Sequence, residues 1–131
     1  MVKINTDLMP MDYIKGQIID SGSNSNGSYV KYSDGTMICY KTASGTVNIT
    51  EVWGSGYTSG AEATINLGTW PVAFTALPVV SVTPIRDNSN YWLGAVRYTT
   101  KTVAGYCTLL RFNQSTGLGY TLNIVGYGKW K

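Results

Sequence analysis

The run GYTLNIVGYGKWK, residues 119 to 131, decides the fold. In an extended chain, successive side chains point to opposite faces. Tyr120, Leu122 and Ile124 therefore share one side, and Thr121, Asn123 and Val125 share the other. Gly126 and Gly128 continue the first side without side chains, and Trp130 closes it. An alternation this regular predicts an integral strand of a sheet over about 119 to 128.

A second run, NGSYVKYSDGTMICYKT (26 to 42), carries Asp34-Gly35 between two β-rich segments. That dipeptide predicts a hairpin with a two-residue type I′ turn, whose central residues both need positive φ. The register would pair Ser33 with Thr36, Tyr32 with Met37, Lys31 with Ile38 and Val30 with Cys39. Paired residues share a face. Val30, Tyr32, Met37 and Cys39 would then form the core side, with Tyr29 and Lys31 opposite.

Further strands are expected at about 45 to 53, 61 to 68, 79 to 85, 91 to 99 and 103 to 112. GSGYTSG (54 to 60) reads as a Gly/Ser loop with one aromatic residue, and RDNSN (86 to 90) as another loop. In LGTWPVAFTALP (67 to 78) the prolines break any ladder, and Trp70 and Phe74 read as a plug closing one end of a sandwich. SGSNSNGS (21 to 28) reads as a flexible polar link. Residues 1 to 20 show no sustained period and read as a connector, or as a short strand added to a neighbour. Many short strands spaced by turn residues give an all-β antiparallel β-sandwich over 26 to 131, preceded by a connector over 1 to 25.

The chain has 131 residues, which suits one domain. Only 13% of them are charged, and the net charge of +3 is scattered. No basic run forms, which argues against nucleic acid as a partner. No apolar stretch approaches the roughly 18 residues of a membrane helix, so no membrane insertion is expected. Met1-Val2-Lys3 leads into a polar segment rather than a signal peptide, which predicts synthesis in a cytoplasm. Cys39 and Cys107 are expected to be free thiols, Cys39 buried beside Val30 or Met37.

Histidine is absent. That removes the commonest general base, the usual nucleophile pairs and most metal sites. A glycosidase-type carboxylate pair, about 5 to 10 Å apart, is the remaining catalytic option. Glu51 and Glu62 are the best candidates among seven carboxylates, but two solvated charges explain them more simply. The expectation is a protein that is not an enzyme, with no cofactor and no metal.

Two runs combine rings with polar groups. EVWGSGY holds Trp53 and Tyr57, and RDNSNYW holds Arg86, Asp87, Asn88, Asn90, Tyr91 and Trp92. Sugars present apolar C–H faces that stack on rings, and hydroxyls that suit amide, carboxylate and guanidinium partners. These eight residues are the candidate ligand-binding set. Two structural readings stand beside it: Trp92 is in strand phase with Val96 and could be core, and Asp87-Asn88 could be turn chemistry alone.

Taken in order, the runs at 26 to 42, 67 to 84 (LGTWPVAFTALPVVSVTP) and 119 to 131 resemble the C-terminal receptor-binding tip domain of phage tail fibres. The resemblance is to the type found in phages and prophages of Gram-positive bacteria, itself similar to H-type lectins. It covers roughly residues 26 to 131. The chain departs from that family over residues 12 to 25, where the family is often shorter. The resemblance implies an H-type-lectin-like sandwich, a homotrimer about a threefold axis, attachment to the rest of a tail fibre or baseplate, and a place in the virion tail. It implies recognition of a host-cell-surface glycan, such as a wall polysaccharide or teichoic acid. No lectin ligand residue maps onto these loops. Two other functions stay open: a purely structural trimerising cap, and a glycan-degrading enzyme. On the last strand, Thr121, Asn123, Val125 and Tyr127 are the expected trimer face.

Overall fold

The computed structural model describes residues 16–60, 65–85 and 90–131, and every regular element among them is a β-strand. In chain order these are β1 (Ile18–Asn24), β2 (Gly27–Tyr32), β3 (Thr36–Ile49), β4 (Glu51–Trp53), β5 (Gly56–Thr58), β6 (Ile65–Thr69), β7 (Val79–Ile85), β8 (Trp92–Leu93), β9 (Val103–Cys107), β10 (Leu109–Arg111) and β11 (Ser115–Lys129). All pairings are antiparallel. They build a five-stranded sheet, β1-β2-β3-β11-β7, a four-stranded sheet, β4-β5-β10-β8, and a β6-β9 pair. Buried residues from all three form one core, giving the expected all-β, sandwich-like architecture.

The terminal strand reads as its alternation predicts. Leu118, Leu122 and Ile124 are buried, while Asn123, Val125 and Tyr127 face outward. Gly126 and Gly128 lie on the inner face because two rings occupy the space their side chains would need. A Cβ on Gly126 would lie 2.7 Å from Trp70 Cη2, and one on Gly128 would lie 2.9 Å from Phe74 Cδ1. Trp70 and Phe74 meet edge to face at 5.5 Å, and both are buried. Their segment is tied down on two sides: Trp70 N donates to Thr102 O, and Thr75 N to Lys129 O, each at 2.9 Å. Beyond the glycines, Trp130 Nε1 donates to Tyr32 O at 2.8 Å, and Trp130 N to Gly35 O at 2.9 Å. The last strand is thereby latched to the first long hairpin.

That hairpin forms, with a register one residue away from the expected one. Lys31 pairs with Met37, Val30 with Ile38 and Tyr29 with Cys39. The turn is of the three-residue kind. Gly35 N donates to Tyr32 O at 3.1 Å, and Gly35 alone takes positive φ, at 94°. Asp34 instead accepts from Thr36 N at 2.9 Å, which also lowers its carboxyl pKa. A type I turn followed by a left-handed glycine inserts one residue relative to type I′. The slip separates the expected core face. Met37 and Cys39 are fully buried, but their partners are Lys31 and Tyr29, and Val30 sits with Ile38 on the outer face. Lys31 Nζ lies 5.4 Å from the Trp130 ring centroid and 3.6 Å from Asp20.

Several other boundaries differ from expectation. Residues 21 to 28 are not a flexible link: they form most of a β1-β2 hairpin, with Asn24 opposite Gly27. β3 runs unbroken through Thr42-Ala43-Ser44-Gly45-Thr46, because β11 pairs with each of these residues. The expected strand over 103 to 112 divides at Thr108, whose carbonyl accepts from Gly94 N at 2.8 Å; β9 joins β6, and β10 joins the four-stranded sheet. Of the expected strand at 91 to 99, only β8 and an Arg97–Tyr106 bridge form, and Tyr98 takes φ 61°. Cys39 and Cys107 are both buried and both free, and burial pushes each thiol up to about 11.

Gly126→Ala should destabilise the fold by about 1–3 kcal/mol, because the buried Trp70 ring has nowhere to retreat. Gly119→Ala, where a Cβ meets nothing within 4 Å, should leave the midpoint of urea unfolding unchanged. Equal midpoints for the two variants would contradict this packing.

Candidate functional site

The aromatic run around Trp53 is a tight hairpin rather than the expected loop. Trp53 pairs with Gly56, and Gly54 takes φ 59°. A glycine at the first central position is what a two-residue type II′ turn requires. Tyr57 therefore lies on β5, opposite Val52 and Arg111, and packs against the core. β10 brings the neighbouring chemistry. Leu110 pairs with both Thr58 and Trp92, so Trp92 and Leu110 share a face. Trp53 and Gly56 lie two residues along that same face, and Phe112 follows Leu110 onto it.

The result is a groove of about 310 Å³ whose lining includes Trp53, Gly56, Trp92, Arg111 and Phe112. Gly56 leaves its floor bare, since a Cβ there would lie 2.9 Å from Arg111 O. The rings are open to solvent: Trp53 is 61% exposed, Trp92 44% and Phe112 72%. Trp92 and Phe112 meet edge to face at 5.1 Å. Trp92, Arg111 and Phe112 continue into an adjoining hollow of about 170 Å³ that ends on Asn90 and Asn113. Rings thus lie beside two amides and a guanidinium. Arg111 makes no ion pair among the described residues, where the single ion pair is Lys31–Asp20.

Of the eight residues expected from sequence, Trp53, Tyr57, Trp92 and Asn90 fall around this connected groove. Arg86, Asp87 and Asn88 lie outside the described residues, as does Glu62 of the carboxylate pair. Tyr91 is a correction. Its ring is buried, and its hydroxyl donates to Ile85 O at 2.7 Å and accepts from Thr121 N at 3.4 Å. These bonds fasten Tyr91 to β7 and β11, and its buried ring leaves no open face for stacking. Strand parity then turns Trp92 outward, against the core reading. Arg111, Phe112 and Asn113 were missed, because RFN read as the end of a strand entering a turn. The available signal was Phe112, an aromatic two residues beyond Leu110 and hence on its face. Among the described residues, no group of three His, Cys, Asp or Glu could hold a metal ion.

No family model matches the sequence, and no curated protein matches it. Two solved structures are similar in fold. An N-truncated R1-type pyocin tail fibre is 14% identical, with 86% of this chain and 88% of that chain covered and a TM-score of 0.47. A P. aeruginosa R1 pyocin fibre comprising its C-terminal residues 323-701 is 15% identical, with 86% and 29% covered and a TM-score of 0.48.

Tyr91→Phe should cost about 0.5–1.5 kcal/mol by deleting a buried hydroxyl bond. Trp53→Ala should stay within about 0.5 kcal/mol of the parent, since its ring packs into no core. Thermal unfolding of both separates a scaffold residue from a surface residue.

Proposed function

We propose that this chain is a receptor-binding tip domain of a phage tail fibre and that it recognises a host-cell-surface glycan without cleaving it. The open groove of Trp53, Trp92 and Phe112, with Arg111, Asn90 and Asn113 at its end, carries this reading. Exposed rings beside planar polar groups are what a sugar needs: stacking for its C–H face, and donors and acceptors for its hydroxyls. An aromatic patch left open on a scaffold surface also marks a recognition site more often than a packing defect. The tail-fibre part rests on the resemblance of the runs at 26 to 42, 67 to 84 and 119 to 131. Under it, the protein belongs to the virion tail, joined to the remainder of the fibre or baseplate. The Gram-positive assignment and the H-type lectin relationship belong to the same proposal.

A homotrimer is the proposed assembly. The outer face of β3, β11 and β7 leaves apolar groups in water: Tyr40 50% exposed, Tyr127 53%, Val79 70% and Ile85 49%. Tyr127 lies directly between Ile38 and Val79, and Val125 between Tyr40 and Ser81, so these groups form one continuous face. Copies packed on it about a closed axis would cover this surface. Three grooves engaged together would raise avidity by roughly 10²–10⁴. The same face is the specific support for the second reading, a purely structural trimerising cap in which recognition lies elsewhere.

The deciding experiment is adsorption of the fluorescently labelled protein to cells of candidate host strains, alongside a glycan array. The parent should be retained on some strain and some glycan. Trp53→Ala and Phe112→Ala should each reduce retention about tenfold, the equivalent of about 1.4 kcal/mol. Variants that adsorb like a binding parent would remove the groove from recognition. A parent that binds nothing would favour the cap.

Light scattering at micromolar concentration should give three times the 14.2 kDa chain mass. Tyr127→Asp should shift it towards a single chain. A monomeric parent would overturn the assembly proposal.

A further inference from the structure

A second cavity, of about 340 Å³, opens between the β1-β2 turn and β6, and it shares no lining residue with the aromatic groove. Lys41 on β3 forms its floor, with Asn24 and Asn26 on one wall and Asn66 and Gly68 on the other. Among the described residues, no ring and no carboxylate lines it.

The walls are held by their own hydrogen bonds. Asn24 Nδ2 donates to Pro71 O at 2.8 Å, and Asn24 Oδ1 accepts from Asn26 N at 2.8 Å. Asn66 Oδ1 accepts from Gly68 N at 2.8 Å, which fixes the amide orientation and leaves Nδ2 to donate. Lys41 Nζ donates to Thr69 O at 2.6 Å, and two further protons remain on it. Gly68 makes room for that ammonium: its φ is 82°, and a Cβ there would lie 2.6 Å from Lys41 Nζ. Partial burial lowers the Lys41 pKa, as expected where a positive charge loses water, and no described carboxylate pairs with it.

We propose that this cleft binds the anionic group of a polar ligand, a phosphate, sulfate or carboxylate, with Lys41 Nζ supplying the charge and Asn66 Nδ2 the orienting hydrogen bond. A charge-assisted bond from an ammonium beside a neutral amide donor is a common way to hold an oxyanion. The cleft is larger than a bare oxyanion needs. The remaining space, next to Asn26, suits hydroxyls on the same ligand. This proposal does not rest on the glycan reading of the aromatic groove.

The test is a titration of the isotope-labelled full chain, followed by nuclear magnetic resonance of backbone and side-chain amides. Inorganic phosphate, glucose 6-phosphate and glucose are added separately, against sodium chloride at matched ionic strength. Phosphate should give saturable shifts at Lys41, Gly68 and the Asn66 side chain. Lys41→Met should weaken this by at least about tenfold. Asn66→Asp keeps the acceptor for Gly68 N, preserving the turn, and places a negative oxygen where Nδ2 was. It should abolish phosphate binding even if Lys41→Met fails to fold, whereas Trp53→Ala should leave it unchanged. Glucose 6-phosphate binding more tightly than phosphate assigns the ligand to a sugar-linked anion, and equal affinities assign it to a free anion. Shifts that never saturate, that spread equally over all lysines, or that survive Asn66→Asp would overturn the proposal.

Discussion

The antiparallel ladder between β3 and β11 runs from the Thr36–Lys129 pair to Ile49–Ser115, unbroken as far as Val47–Leu118, and the faces of both strands follow from its register. Because side chains alternate strictly, a slip of one residue would turn one strand's inner side chains outward while its partner's stayed in. Three contacts hold the register at one end. Gly126 lies under Trp70, Gly128 lies under Phe74, and Trp130 reaches Tyr32 and Gly35. The two glycines fit only where the two rings come down. The 70–78 segment, which has no ladder of its own, therefore specifies the pairing of the strands beside it.

The terminal strand and the plug were legible because both depend on period and residue size. Leu122 and Ile124 face inward as their alternation requires, and the bare positions at 126 and 128 find the Trp70 and Phe74 rings. The register of the first long hairpin was harder to read. Asp34-Gly35 suits a two-residue turn, but it equally suits a longer one in which only glycine turns left-handed. The outcome depends on Asp34 accepting from Thr36 N and on Trp130 donating to Gly35 O. The second bond comes from a residue 95 positions away in the chain, which local propensity does not encode. The run to 42 and the strand expected from about 45 join into one, because Ser44 and Gly45 pair with Thr121 and Tyr120.

The groove divides along the same line. Trp53 and Trp92 were visible as aromatics among turn-forming and polar residues, and the fold places both at its lining. Tyr91 stands next to Trp92 in sequence but faces the opposite way, and its hydroxyl is spent on Ile85 and Thr121. Composition alone gives neighbouring aromatics the same value; strand parity separates them. Arg111 and Phe112 enter through a non-local event, the pairing of β10 with both β5 and β8. Sequence neighbourhood therefore finds each half of the groove and not the strand that joins them.

β7 forms one edge of the five-stranded sheet, opposite β1, and it carries Pro84. Edge strands invite lateral growth, because an arriving strand finds a row of unpaired donors and acceptors. Proline brings no N–H, so a strand that carries it makes a poorer template for extension. The same strand presents Val79 and Ile85 on its broad face. Sheet extension is discouraged at this edge, while the broad face stays open to packing. For the proposed trimer that distinction matters, since the first mode runs on into fibrils and the second can close.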